Sequence, residues 1–134
     1  YVSGTAIELM NPSDNVLRAG LTPKHIDTEE LIKVLGEHQD VPVVQRPAAN
    51  GSGVEQYAMW DERMSVQHIR VLADNPVGYT FEGTSAALVV DGSVTISVGE
   101  QNITLRGTES VLHAGDATSV TITGEGELYI ARYV

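Results

Sequence analysis

The sequence contains no cysteine. Disulfide frameworks, cysteine-bound zinc and thiol catalysis are therefore excluded, and the absence fits a reducing cytoplasm, where we expect the protein to be located. The chain has eight Lys and Arg and 18 Asp and Glu, which gives a net charge of -10. This negative charge opposes binding to nucleic-acid phosphates. No apolar run approaches the roughly 20 residues of a membrane helix. We therefore expect neither nucleic acid nor a membrane as a partner.

A two-residue alternation of apolar and polar side chains dominates the sequence from Tyr57 onward, as in "SVQHIRVLA" at 65–73 and "SVTISV" at 93–98. Asp91-Gly92 predicts a two-residue hairpin turn between the strands on either side of it. Further turns are predicted at "VGEQN", "LHAGDA" and "TGEGE", so strands recur about every ten residues, the spacing typical of a β-sandwich or small barrel. The larger part of the chain is predicted to be all β, with an interior filled by Val, Ile and Leu.

The region before Tyr57 is less regular. A weak strand is predicted at 5–10, followed by a polar loop up to Lys24. Asp27 and Glu30 have the spacing of a capping box, so they predict one helix of about two turns that ends at Gly36. "RPAANGSGVEQ" at 46–56 is interpreted as a turn-rich surface loop.

One long motif, "YVSGTAIELMNPSDNVLRAGLTPK", resembles the second signature of the type I mannose-6-phosphate isomerases, or phosphomannose isomerases, of the cupin superfamily. Asn11 departs from it, since the family usually has Ala there. The resemblance implies a mainly β, cupin-like antiparallel β-sandwich (jelly roll). It divides the chain into a tail of the catalytic cupin at 1–26, a helical connection at 27–40 and a C-terminal sandwich at 41–134. The matching residues are Tyr1, Gly4, Glu8, Met10, Ser13, Asp14, Asn15, Arg18, Ala19, Gly20, Thr22, Pro23 and Lys24.

The resemblance also implies site residues. Arg18 matches a catalytic arginine, which would stabilise the negative charge of a cis-enediol during aldose–ketose isomerisation. Lys24 matches a lysine that binds the sugar phosphate. Glu8, Asp14 and Tyr1 match positions that line the same pocket. Without the resemblance, Asp14 would more often be a turn residue and Arg18 a surface or ion-paired side chain.

A zinc ion is expected only because of the resemblance. The resemblance implies one zinc ion bound by a Gln, two His and a Glu, and these four ligands match no position of this chain. No metal ligand is therefore assigned here, zinc is expected only in the full-length parent, and the chain alone is expected to be inactive. The four histidines are widely spaced and show no metal-ligand pattern; they are His25, His38, His68 and His113.

Two other functions stay open: a stand-alone degenerate cupin that binds sugar, and a structural or oligomerising β-sandwich. A concave pocket of converging polar groups would favour the first, and a fully apolar interior the second. Trp60 is interpreted as core or rim packing rather than as a sugar platform. A homodimer is also expected, formed through the strand at 5–10, because an unpaired strand can add to the edge of a second copy.

Overall fold

The structure is a computed structural model. The chain divides into two units, Tyr1–Val44 and Gln45–Val134. The domain limits implied by the resemblance stay predictions. The structure describes residues 2–4, 6–10, 16–35, 48–49, 53–57, 59 and 61–133.

The first unit contains the predicted two-turn helix, α1, at Thr28–Val34. Asp27 caps it, since its carboxylate accepts a 2.9 Å hydrogen bond from the backbone N–H of Glu30. Lys33 in the last turn pairs with Glu30 at 3.2 Å, and none of the helix residues is buried. The predicted stop at Gly36 lies outside the described residues.

The strand predicted at 5–10 is wrong in this structure, because residues 6–10 form no regular secondary structure. Ile7 is 38% exposed and Met10 is 75% exposed. A strand is stable only where a neighbour pairs its backbone groups, and no described residue of this chain does so here. The apolar pattern of the segment is therefore present without the pairing that would make it a strand.

The second unit consists of antiparallel strands. The interpretation of 46–56 as a loop is partly wrong, because β1 and β2 pair within it, Ala48 opposite Gln56. The turn at "VGEQN" is confirmed between β5 and β6, and the turn at "LHAGDA" between β7 and β8. The strands are β1 Ala48–Ala49, β2 Val54–Tyr57, β3 Met64–Val71, β4 Val77–Phe81, β5 Thr84–Val98, β6 Gln101–Arg106, β7 Ser110–His113 and β8 Thr118–Tyr133.

Two long strands, β5 and β8, join the sheets, because they pair from Thr84 opposite Tyr133 to Ser97 opposite Thr121. On its other edge β8 borders β4 with its first half and β3 with its second half. Strand β5 likewise borders β7 and then β6. One set of strands is therefore β1-β2-β3-β8-β5-β7 and the other is β4-β8-β5-β6, with the β5–β8 ribbon common to both.

The hairpin predicted at Asp91-Gly92 and the turn predicted within "TGEGE" are both wrong, because these residues lie inside β5 and β8. They face each other, with Gly92 opposite Gly126, beside a bulge between Val89 and Asp91. Gly92 has φ +75°, and a Cβ there would lie 2.2 Å from the Glu125 carbonyl oxygen. The glycines therefore bend the ribbon instead of ending its strands, and this is why strands do not recur every ten residues.

The bulge also changes which residues of β5 face inward. Ser85, Ala87 and Val89 are buried before it, whereas Val94 and Ile96 are buried after it. One added residue shifts a period-two pattern by one position, so both halves of the strand present apolar side chains to the same interior. The mainly apolar interior predicted from the alternation is present; its buried members are Val54, Ile69, Val71, Val77, Phe81, Ala87, Val89, Val94, Ile96, Leu105, Val120, Ile122, Leu128 and Ile130.

Candidate functional site

The site residues implied by the resemblance lie in the first unit. Arg18 is half-buried, whereas Glu8 and Lys24 are exposed. Tyr1 and Asp14 lie outside the described residues. The structure therefore describes three of the five implied site residues.

The loop that carries Arg18 and Lys24 is held by short-range bonds. Nη1 of Arg18 donates to the Val16 carbonyl at 3.4 Å, and the backbone N–H of Lys24 donates to Oγ1 of Thr22 at 3.2 Å. Between them Leu21 has φ 57°, a left-handed conformation that is uncommon for a residue other than glycine. The loop is thus a tight polar turn with one strained residue.

No hydrogen bond or salt bridge joins Glu8, Arg18 and Lys24 to one another among the described residues. The described part of the first unit therefore supplies charged groups for a site without bonds among these three side chains.

A polar cleft forms in the second unit, where the inward-facing rows of the sandwich change from apolar to polar. Along β3 the row that contains Ile69 continues through Gln67 to Ser65, and along β8 the row of Ile130 continues to Arg132. Register places Ser65 opposite Arg132. The resulting cavity has a volume of about 300 Å³, and we call it the polar cleft; its lining residues are Gln56, Ser65, Gln67, Tyr79, Thr80, Glu82 and Arg132.

One hydrogen bond connects the two sheets across the polar cleft, and a second joins two glutamines on neighbouring strands of one sheet. The Tyr79 hydroxyl donates to Oε1 of Gln67 at 2.6 Å, and Nε2 of Gln67 donates weakly to Oε1 of Gln56 at 3.5 Å. Burial raises the pKa of Tyr79 above its ordinary value, so its hydroxyl stays protonated and remains a donor. The Gln67 amide is therefore oriented by its short bond with Tyr79.

The charged groups of the polar cleft neutralise each other. Nη1 of Arg132 donates to the Glu82 carboxylate. Nε of Arg132 is buried and has no hydrogen-bond partner among the described residues. The guanidinium thus keeps unused donor capacity beside the cavity.

Sequence reasoning missed the polar cleft. One signal was visible, because Gln67 shares its strand face with Ile69 and Val71 and so replaces an apolar residue at a core-facing position. Apart from Ser65, which is also on β3, the other lining residues come from β2, β4, β8 and the turn after β4. Only strand order and register bring Gln56, Tyr79 and Arg132 to the same end of the sandwich.

The described residues do not fit the zinc ion that the resemblance implies. No group of three or more His, Asp or Glu among them is arranged to hold a metal ion. The nearest approach is His68, whose Nδ1 lies 3.0 Å from Glu55 and whose Nε2 lies 3.7 Å from Glu127. Its ring stacks on Tyr129, with the centroids 4.8 Å apart. Nδ1 of this histidine thus has a carboxylate partner, whereas its buried Nε2 has no hydrogen-bond partner among the described residues.

Two further sequence interpretations concern residues that the structure leaves out. His38 and Trp60 both lie outside the described residues.

Within the part of the chain that is described, no helix has the length and apolar character needed to cross a membrane.

Comparisons with curated proteins show extensive similarity, although no protein-family model matches the chain. Mannose-6-phosphate isomerase of Escherichia coli is 33% identical over 131 residues, which are 96% of this chain and 33% of that protein. Mannose-6-phosphate isomerase 2 of Arabidopsis thaliana is 31% identical over 134 residues, covering 96% of this chain and 29% of that protein. The chain therefore spans about a third of the length of the curated relatives it matches.

Solved structures show the same fold. A mannose 6-phosphate isomerase from Salmonella typhimurium, bound to its substrate fructose 6-phosphate and to zinc, matches with a TM-score of 0.73 and 24% identity over 90% of this chain and 31% of that one. A mutant of phosphomannose isomerase from the same organism also gives a TM-score of 0.73, over 91% of this chain. The predicted fold class, a mainly β cupin-like sandwich with one short helix, is confirmed.

Proposed function

Because this chain is homologous over 96% of its length to the mannose-6-phosphate isomerases, we propose that it is the C-terminal portion of an enzyme that interconverts mannose 6-phosphate and fructose 6-phosphate. The identity over 131 residues is the observation that carries the proposal. The reaction belongs to the longer protein, since the chain corresponds to only about a third of such enzymes. We propose a cytoplasmic location for it.

Arg18 acts on the transition state in this proposal. Isomerisation moves a proton between C1 and C2 of the open-chain sugar through a cis-enediol, on whose oxygens negative charge develops. A guanidinium stays protonated at any physiological pH, so it can stabilise that charge without giving up its own proton. The one described protein bond of Arg18 is a long contact within its own loop, which leaves further N–H groups for the sugar.

Lys24 binds the substrate phosphate. Its ammonium is exposed and carries a charge on a flexible stem, which suits a dianionic group more than a reacting carbon. Glu8, Asp14 and Tyr1 complete the site by orienting sugar hydroxyls or by carrying the proton. Zinc is bound in this proposal by other parts of the parent enzyme, and no step assigned here depends on it.

The role of Lys24 is tested by Lys24→Ala in the intact enzyme. Loss of a phosphate contact that is equal in the ground state and the transition state raises KM, by about tenfold, and leaves kcat within about twofold. Lys33→Ala is the matched control, because Lys33 is an exposed lysine of α1 in the same unit. Steady-state kinetics with mannose 6-phosphate give both parameters. A KM unchanged by Lys24→Ala would remove the assignment.

Self-association through residues 5–10 is a further part of the proposal. Ile7 and Met10 are exposed, and no described residue pairs with their backbone, so a second copy can supply the missing strand. We expect sedimentation equilibrium of the 134-residue chain to show a dimer that Ile7→Lys weakens. Ile32→Lys, at an exposed position of α1, should leave the dimer intact. A monomer at every concentration would contradict the homodimer.

Of the two alternative functions, sugar binding by the sandwich has a specific observation in its favour, which is the polar cleft. A purely structural sandwich has no need of seven polar lining residues at the end of an otherwise apolar interior. Sugar binding at the polar cleft is compatible with the isomerase function, because the polar cleft and the loop of Arg18 lie in different units.

A further inference from the structure

We propose that the polar cleft binds one small, uncharged polyhydroxylated molecule of about the size of a single hexose. The site lies wholly within the second unit and contains none of the residues assigned to the isomerase reaction. It therefore goes beyond the proposed function and can be tested independently of it.

The position of the polar cleft is the first argument. Val54, Ile69 and Ile130 show what this fold places on the inward-facing rows elsewhere, since all three are buried. Two residues further along the same rows stand Gln56, which is exposed, and Gln67 and Arg132, which are half-buried. At this end of the interior, where apolar side chains would continue the packing seen deeper in the fold, the rows present polar groups around a cavity. Polar groups that converge on a cavity indicate a ligand site.

The charges of the lining residues indicate whether the ligand of the polar cleft is charged or neutral. Among the described lining residues, Arg132 is the only cation and its partner Glu82 is the only carboxylate. The pair is neutral as a whole, and the remaining lining groups are amides and hydroxyls. An anion such as a phosphate would meet the Glu82 carboxylate as well as the guanidinium, so the polar cleft offers it no net attraction.

The hydrogen-bonding capacity matches a polyol. A sugar hydroxyl donates one hydrogen bond and accepts others, so it needs neighbours of both kinds. The amides of Gln56 and Gln67 supply both, the Arg132 guanidinium supplies donors, and the Glu82 carboxylate supplies acceptors. Tyr79 holds the Gln67 amide in place at 2.6 Å, which lowers the entropic cost of binding.

The size of the cavity sets an upper limit on the ligand. Its volume of about 300 Å³ is at the small end of the range for ligand pockets. One hexose or a short linear polyol fits such a space, whereas a nucleotide or an oligosaccharide does not. With about a dozen heavy atoms, such a ligand is expected to bind with a Kd of about 1 mM or weaker.

The experiment is a titration of the isotopically labelled 134-residue chain with D-mannose, D-glucose and sorbitol, followed by amide NMR. We expect saturable shifts for at least one probe, concentrated at Gln56, Gln67 and Arg132. Tyr79→Phe removes one hydroxyl, retains the ring that packs edge-to-face against Phe81 at 5.0 Å, and should weaken binding about tenfold. Gln56→Ala, at an exposed position that tolerates substitution, should weaken it similarly and serves if Tyr79→Phe does not fold.

Two controls make the result specific. Thr104→Val alters an exposed threonine pair on β5 and β6, where Thr95 and Thr104 lie 2.9 Å apart, and should leave the affinity unchanged. Mannose 6-phosphate should bind at the polar cleft, as followed by the amide signals of Gln56, Gln67 and Arg132, no more tightly than mannose. The proposal is overturned if no uncharged probe saturates, if Tyr79→Phe and Gln56→Ala bind as well as the unmodified chain, or if the phosphate ester binds more tightly. None of these outcomes depends on isomerase activity.

Discussion

If the proposed function holds, we expect Arg18→Ala to lower kcat by a factor on the order of 10² in the intact enzyme that contains this segment, while KM changes much less. The reason is that the enediol charge exists only near the transition state, so the guanidinium contributes little to binding of the neutral sugar carbons. The described contact of Arg18 with Val16 is within the loop and 3.4 Å long. Removing the side chain therefore should not unfold the loop, and the loss should be confined to chemistry.

The control for this prediction is Arg106→Ala. Arg106 is an exposed arginine at the end of β6 in the second unit, so its loss changes the net charge equally but leaves the proposed site intact. Steady-state rates of both variants with mannose 6-phosphate give the comparison. A kcat for Arg18→Ala that stays within a factor of about two of the unmodified enzyme would remove its catalytic role.

Gly92→Ala is expected to lower the free energy of unfolding of the second unit by roughly 2–5 kcal/mol. Two effects add at this position. Alanine at φ +75° carries the cost of a left-handed conformation, and its Cβ would overlap the backbone of β8, 2.2 Å from the Glu125 carbonyl oxygen and 2.6 Å from Gly126 Cα. Backbone in the middle of a paired ribbon cannot move aside without breaking ladder bonds, so the loss should be large.

Gly99→Ala separates the two effects. Gly99 has φ +57° in the turn between β5 and β6, but a Cβ there would meet nothing within 4 Å. Only the conformational cost remains, so we expect a loss of about 1–2 kcal/mol. Urea unfolding followed by circular dichroism measures both variants. Equal losses for Gly92→Ala and Gly99→Ala would show that β5 and β8 do not approach each other as closely as the structure places them.

Local signals predicted part of this fold well. The spacing of Asp27 and Glu30 predicted the capped start of α1, and the two-residue alternation around Ile69 and Val71 predicted β3. These features depend on residues close together in the sequence. A capping bond or a strand face is decided within a few positions, so the sequence alone contains the information.

The two wrong turn predictions share one physical cause, which is that glycine has more than one use. Asp91-Gly92 and the glycines at 124 and 126 are typical of turns, yet they lie opposite each other in the middle of the longest strands. Positive φ and the absence of a Cβ serve a bulge or a close approach of two backbones as well as they serve a turn. Whether such a glycine forms a turn or allows a close approach depends on the partner strand. A local sequence pattern does not show which strand that is.

The two candidate sites also differ in how far a local sequence pattern can predict them. Arg18 and Lys24 lie in one contiguous motif, so a resemblance in sequence could single them out. The polar cleft draws on β2, β3, β4 and β8, and its lining residues span 56–132. Its members look like ordinary surface residues until register places Gln67 beside Tyr79 and Ser65 opposite Arg132.

The most direct test of the proposed function is an isomerisation assay of the intact gene product beside the 134-residue chain, with fructose 6-phosphate as the measured product of mannose 6-phosphate. Both proteins are supplied with zinc and checked for folding by circular dichroism. We predict turnover by the intact product and none above the buffer blank by the chain alone. A folded, zinc-supplied intact product without turnover, or turnover by the chain that persists after repurification, would contradict the proposal.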